Sequence, residues 1–240
     1  MTIAGFWTRT DADQLVAAAG IRPDLRLEQL YRHALAFESW RSALLETHLR
    51  DGLGFWYEAQ NDYLLCLLHA GRGIWRSSYQ ALRSLIENAT GALYYSEHPV
   101  EARRFEKGEF RLTWTETKKY FAAYPHSTGK AFRTSTWTML DREYASLSKA
   151  VHGSASAFRM TAGRAFPSLC SSDRSAFGAW RTRASTNARA VHFLLLQHFR
   201  AHIVGARLPS LREEVGRALS ASDRSKIRTA LDVVLPAPPP

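Results

Sequence analysis

The 240-residue sequence predicts an all-α protein, an antiparallel helical bundle with short accessory helices. Three observations lead there. Apolar residues recur at spacings of three and four over long stretches, as one face of an α-helix requires. No stretch alternates apolar and polar residues at period two, and no strand-length run is bounded by hairpin dipeptides. Hydrophobic residues make up 45% of the chain, with seven tryptophans and twelve phenylalanines spread along it, enough to fill a core without a disulfide or metal staple.

Residues 1–23 read as an N-terminal arm ahead of a single helical domain over residues 24–235. In residues 25–49, Leu27, Leu30, Tyr31, Ala34, Phe37, Trp40, Leu44 and Leu45 form one stripe between Arg26, Glu28, Arg32 and Glu38, which predicts one long amphipathic helix. Asp51, Gly52 and Gly54 punctuate, and a second helix is expected over 58–70, carrying Tyr63, Leu64, Leu67 and Leu68. Gly71 and Gly73 mark the turn into a third helix, 74–97, with Tyr79, Leu82, Ile86, Ala89, Leu93 and Tyr94 on its stripe. Pro99 stops it, because a residue before proline is pushed out of the α region. Two short charged helices follow at 100–107 and 114–124, and a longer one at 135–152 turns Trp137, Leu140, Tyr144, Leu147 and Val151 inward before Gly153. Residues 154–177, rich in Ser, Ala and Gly, are expected as a loop or an ordered excursion. A helix over 179–204 comes next, then two short ones starting at Pro209 and Ser222, and a frayed Pro-rich tail, 236–240.

Several functional classes drop out. No apolar run approaches the roughly 20 residues that span a bilayer, and the first ten residues lack a signal-peptide core, so a cytoplasmic protein with no membrane partner is expected. Cys66 and Cys170 read as reduced core thiols. Gly129-Lys130 is followed by Ala131 and makes no phosphate-binding loop. No acidic residue stands three positions before any of the nine histidines, and the cysteines have no ligand spacing, so neither metal nor cofactor is expected.

Two constellations carry chemistry. Arg83 and Glu87 are four apart in the third helix, one above the other. Ser148 and His152 share a face at the end of a later helix, where the dipole favours an imidazolium. Together such groups can hold a phosphate and move a proton. The alternative is an internal ion pair that fixes helix register and a histidine that caps its own helix. The charge adds a third signal. The net charge is +10, and residues 153–207 hold eight arginines against Asp173 alone, a local net of +7. Arg159, Arg164, Arg174, Arg181 and Arg183, with Lys149 beside them and Phe158, Phe166, Phe177 and Trp180 interleaved, have the composition of a nucleic-acid surface. Pairing with acids inside the fold and docking of an acidic protein remain the other two readings.

The run Ala81-Leu82-Arg83-Ser84-Leu85-Ile86-Glu87-Asn88-Ala89, then Tyr94-Tyr95 and His98-Pro99, and later Tyr144-Ala145-Ser146-Leu147-Ser148-Lys149-Ala150-Val151-His152-Gly153, resembles bacterial helical proteins of the HEPN-like group over roughly residues 60–200. The resemblance implies an antiparallel bundle, frequently dimeric, in toxin–antitoxin or phage-defence systems, whose active members are metal-independent ribonucleases. Carried onto this sequence, it makes His152 a general acid/base, Arg83 a phosphate ligand and Glu87 its orienter, with Ser148 on the histidine's face. The implied partners are RNA or another polyanion, an acidic antitoxin-like protein and a second copy of the chain. Catalytic members separate their Arg and His by about four to six residues. Here that spacing occurs only at Arg26–His33 and Arg41–His48, while Ala145, Ser146 and Leu147 precede His152. The alternative expectation is a catalytically silent interaction module whose arginine-rich segment docks an acidic protein or a nucleotide effector.

Overall fold

A computed structural model describes residues 25–124, 129–151, 174–206 and 208–237, and every regular element among them is helical. The N-terminal arm, His126, His152, Arg159, Arg164 and Cys170 lie outside the described residues, as does the side chain of Arg174.

Helix α1 spans Leu25–Trp40 and continues through a π-helical turn, Arg41–Leu45, into Glu46–His48 and a 3-10 turn, Arg50–Gly52. The unbroken helix expected to residue 49 is thus interrupted, and the core accounts for it. Leu49 lies eighteen residues, five regular turns, after Tyr31, so an unbroken α-helix would align it with a side chain that is 51% exposed. The π turn adds a residue and rotates Leu45 and Leu49 inward, where both are fully buried.

Helix α2, Leu53–Gly71, starts five residues ahead of its expected beginning. Gly52 is a close-approach position rather than loop punctuation: a Cβ there would sit 2.0 Å from the Ala92 carbonyl oxygen of α3, Trp75–Glu97. Pro99 begins α4, Pro99–Glu106, where its missing N–H costs nothing. A Thr113–Glu116 capping box starts α5, Trp114–Ala123. Helix α6, Lys130–Val151, begins five residues earlier than expected. Helix α7, Arg174–His198, takes in residues 174–177, which the sequence had assigned to a loop. The chain breaks at Phe199 before α8, Arg200–Gly205, and closes with α9, Pro209–Ala218, and α10, Ala221–Leu231.

Side-chain bonds fix the relative directions. Tyr63 Oη donates to the Leu30 carbonyl and Gln60 to Glu38, so α1 and α2 run antiparallel. Ser78 meets the Cys66 carbonyl at one end of the α2–α3 pair and Asn88 meets Asp62 towards the other. Arg76 meets the Val151 carbonyl while Arg83 meets Tyr144, which sets α6 antiparallel to α3. Phe37, Trp40 and Trp56 of α1 and α2 and Trp180 of α7 are fully buried, each worth roughly 2–3 kcal/mol of apolar burial. Among the described residues no helix is long and apolar enough to cross a membrane.

Candidate functional site

The Arg83–Glu87 pair expected from the sequence is formed, and a third residue completes it. Arg83 Nη2 donates to Glu87 Oε1 at 2.9 Å and to Tyr144 Oη at 2.9 Å, while Tyr144 Oη donates to the same Glu87 oxygen at 3.0 Å. The spacing of four stacks Arg83 over Glu87 on α3, and the antiparallel register of α6 delivers Tyr144 to the same level. Burial pushes the Tyr144 hydroxyl up, so it keeps the proton it gives to Glu87. The Trp114 indole stacks on the Tyr144 ring at 4.1 Å and donates to Asp141, which Lys118 also engages at 3.0 Å.

Glu87 and Tyr144 face a cavity of about 690 Å3 lined by α2, α3, α4, α5, α6 and the residues ahead of α5. Phe55 stacked on Tyr95 at 4.5 Å, with Phe105 against both, forms one aromatic wall; Trp114 and Tyr144 form the other. Asn88, Thr113, Thr117 and Arg111 add polar groups to the lining, and Arg111 lies near enough to Tyr95 to act on its hydroxyl electrostatically. Arg83 is not part of that lining; it stands behind the wall as the group that positions Glu87 and Tyr144. Beside this cavity, Asp62 is hydrogen-bonded by Asn88 and pushed up to about 6, mainly by burial and further by the nearby carboxylates of Glu58 and Glu87.

Also lined by α5 and α6 is a groove of about 570 Å3 formed by Lys118, Arg133, Trp137, Asp141 and Arg142. Arg142 is 70% exposed, and its one close carboxylate among the described residues, Glu143 at 3.6 Å, is held more tightly by Arg183. Thr113, Trp114 and Thr117 of the α5 segment face the aromatic cavity, and Lys118 and Ala122 face the basic groove.

The remaining sequence candidates fall elsewhere. Ser148 donates to the Tyr144 carbonyl of its own helix at 2.8 Å rather than towards Glu87. His152 lies outside the described residues; the last described residue before it, Val151, receives Arg76, seven positions ahead of Arg83. Lys149 is exposed, and Arg181 is half-buried without a partner among the described residues. Arg183 donates to buried Glu143 at 3.0 Å. Arg189 lies 3.8 Å from Asp223, and Arg200 donates to the Leu231 carbonyl at 2.6 Å. Three arginines of the charged segment therefore join helices together. Of the two Arg-to-His spacings, Arg41 pairs with Glu38 and Glu46, while His48, beyond the π turn, bonds the Leu44 carbonyl and packs on Phe199 and His202. His33 is buried against His192.

Sequence reasoning missed Trp114 and Asp141, and it placed Tyr144 in the core without a role. The signal available for Tyr144 is its inward position on the same stripe as Leu140 and Leu147; no spacing within one helix encodes the register that sets it opposite Arg83. No group of His, Cys, Asp and Glu side chains placed to hold a metal ion occurs among the described residues. Compared with protein-family models, curated proteins and solved structures, the chain has no match.

Proposed function

We propose that this chain is a HEPN-like helical protein that engages single-stranded RNA, seating an unstacked base in the aromatic cavity and the adjoining phosphates along the basic groove. The observation that carries this reading is that α5 and α6 line both features: Thr113, Trp114, Thr117 and Tyr144 line a cavity with two aromatic faces, and Lys118, Arg133, Asp141 and Arg142 line a neighbouring groove. A volume of about 690 Å3 is in the range of nucleotide-sized sites. RNA readers splay bases onto aromatic rings and read their edges by hydrogen bonds, for which Asn88 and the Glu87 carboxylate in the lining are the partners. Arg111 in the cavity lining and Arg142 in the groove lining supply the phosphate contacts.

Cleavage is a separate step of the same reading, with His152 as the general acid/base. Arg83 then acts by holding Glu87 and Tyr144 in place. One observation favours a second reading, a non-cleaving module that takes a nucleotide effector: Arg183, Arg189 and Arg200 are engaged inside the fold rather than offered to a ligand.

Fluorescence anisotropy of a labelled single-stranded RNA in EDTA over a range of salt tests binding. The RNA reading expects affinity to fall linearly in log salt, with the slope reduced by about one in each of Arg111→Glu and Arg142→Glu. No binding, or binding indifferent to salt, overturns it. Incubation of the same RNA with wild type and with His152→Ala tests cleavage: loss of cutting in the variant supports the nuclease step. If the wild type binds a mononucleotide as tightly as RNA and cuts nothing, the effector reading stands instead.

A further inference from the structure

The outer sides of α1 and α2 carry a ribbon of exposed apolar side chains. Tyr31 and Leu35 of α1 are 51% and 42% exposed; Tyr57, Leu64, Leu65 and Leu68 of α2 are 42%, 47%, 41% and 46% exposed. The inward sides of both helices are already occupied, by Leu30, Phe37 and Trp40 on one and Trp56, Ala59, Tyr63 and Cys66 on the other. The two exposed stretches are continuous. The antiparallel register set by Tyr63 on Leu30 and Gln60 on Glu38 brings Tyr31 beside Leu64 and Leu27 beside Leu68. The two tyrosines, at roughly 150–250 Å2 each when wholly exposed, and the four smaller leucines, all about half open, present on the order of 400 Å2. A patch of that size is in the range of roughly 300–600 Å2 at which monomer surfaces carry functional sites, and it supplies about half of an interface of about 800 Å2 per partner.

The charges on α2 say what fits there. Glu58, Leu65 and Arg72 are spaced by seven and fall on one line along the helix. Glu58 is exposed, Arg72 forms the C-cap, and neither has an ion-pair partner among the described residues. A two-fold axis through Leu65 lays α2 antiparallel on its own copy. It sets Leu65 against Leu65 of the partner subunit, closes Leu64 and Leu68 around that contact, and places Glu58 opposite Arg72 of the partner subunit at both ends. We propose that this face is the interface of a homodimer built by α2 on α2 with α1 at its flank. The proposal does not depend on the RNA reading.

Analytical ultracentrifugation of the full chain over micromolar concentrations tests it, with circular dichroism confirming that each variant folds. The wild type sediments as a dimer, and Leu64→Glu with Leu68→Glu weakens association at least about 100-fold. Glu58→Arg or Arg72→Glu alone weakens it about tenfold, and the two together return it to within about threefold of wild type, because the swap restores both pairs only in the antiparallel arrangement. Mild oxidation of Leu65→Cys in a Cys170→Ser background yields a covalent dimer. A monomeric wild type overturns the proposal, including the case in which hydrogen exchange shows the ribbon protected by another part of the same chain. So does a double glutamate variant that still dimerises, or a charge swap that fails to restore.

Discussion

The buried imidazole pair makes the protein acid-labile by an amount that can be worked out. Trp40 Nε1 donates to His192 Nδ1 at 3.1 Å, so the proton of a neutral His192 sits on Nε2, from which it reaches His33 Nδ1 at 3.2 Å. Each ring's acceptor nitrogen already receives an N–H, and charging either ring would set two N–H groups against each other. Burial, with Arg189 nearby, accordingly pulls His33 down to about 3, and burial with His33 alongside pulls His192 well below its usual range. Groups depressed in the folded state bind protons first when unfolded, so the stability they contribute is complete above about pH 6.5 and is lost as the pH falls towards 3. From pH 7.0 to 5.5 each ring that stays neutral in the fold costs about 1 kcal/mol, and the pair about 2–3 kcal/mol. For a chain of this size that lowers Tm by about 5–10 °C. His202, also depressed by burial and by His48, adds to the loss, whereas Asp62, raised by burial, opposes it. The assay is thermal melting by circular dichroism at the two pH values, on wild type and on His33→Gln, which keeps an acceptor for His192 but removes one titrating ring. The variant should lose about half as much. Equal Tm values for the wild type at both pH values, or an undiminished loss in His33→Gln, would refute the reasoning.

Three further outcomes follow from the packing. Gly52→Ala drives a methyl into the Ala92 carbonyl, where the backbone has no room, and should cost about 3 kcal/mol or more in urea unfolding, against little for Gly54→Ala, which faces open space. Asp62→Asn keeps a partner for Asn88 and removes a carboxylate that the fold raises to about 6, so Tm should rise at pH 7.5, with the gain vanishing as the pH falls towards 4. Glu143→Ala strands Arg183 beside an emptied, buried position and should cost about 2 kcal/mol, whereas Glu143→Met, which fills the volume, should cost distinctly less.

The helical class, the order of the elements and the Arg83–Glu87 contact were legible because each depends on spacing within one helix. What was not legible depends on register between helices. Tyr144 reaches Arg83 only because α6 lies antiparallel to α3 at one particular level, and Trp114 reaches Tyr144 only through the capping box that starts α5. The π turn was hidden because its cause, the burial of Leu45 and Leu49, is tertiary. Gly52 reads as punctuation in one dimension and as a contact point in three. The excess of positive charge over residues 153–207 was plain in the sequence, but composition does not say which arginines are spent on Glu143, Asp223 and the Leu231 carbonyl.

Crosslinking tests the reading of the α5 wall most directly. A single-stranded RNA carrying 4-thiouridine, irradiated with the protein in EDTA and mapped by mass spectrometry, should crosslink to peptides containing Tyr95, Trp114 or Tyr144, and an excess of unlabelled RNA should abolish the signal. Crosslinks confined to other surfaces, or none at concentrations where the RNA is bound, would contradict it.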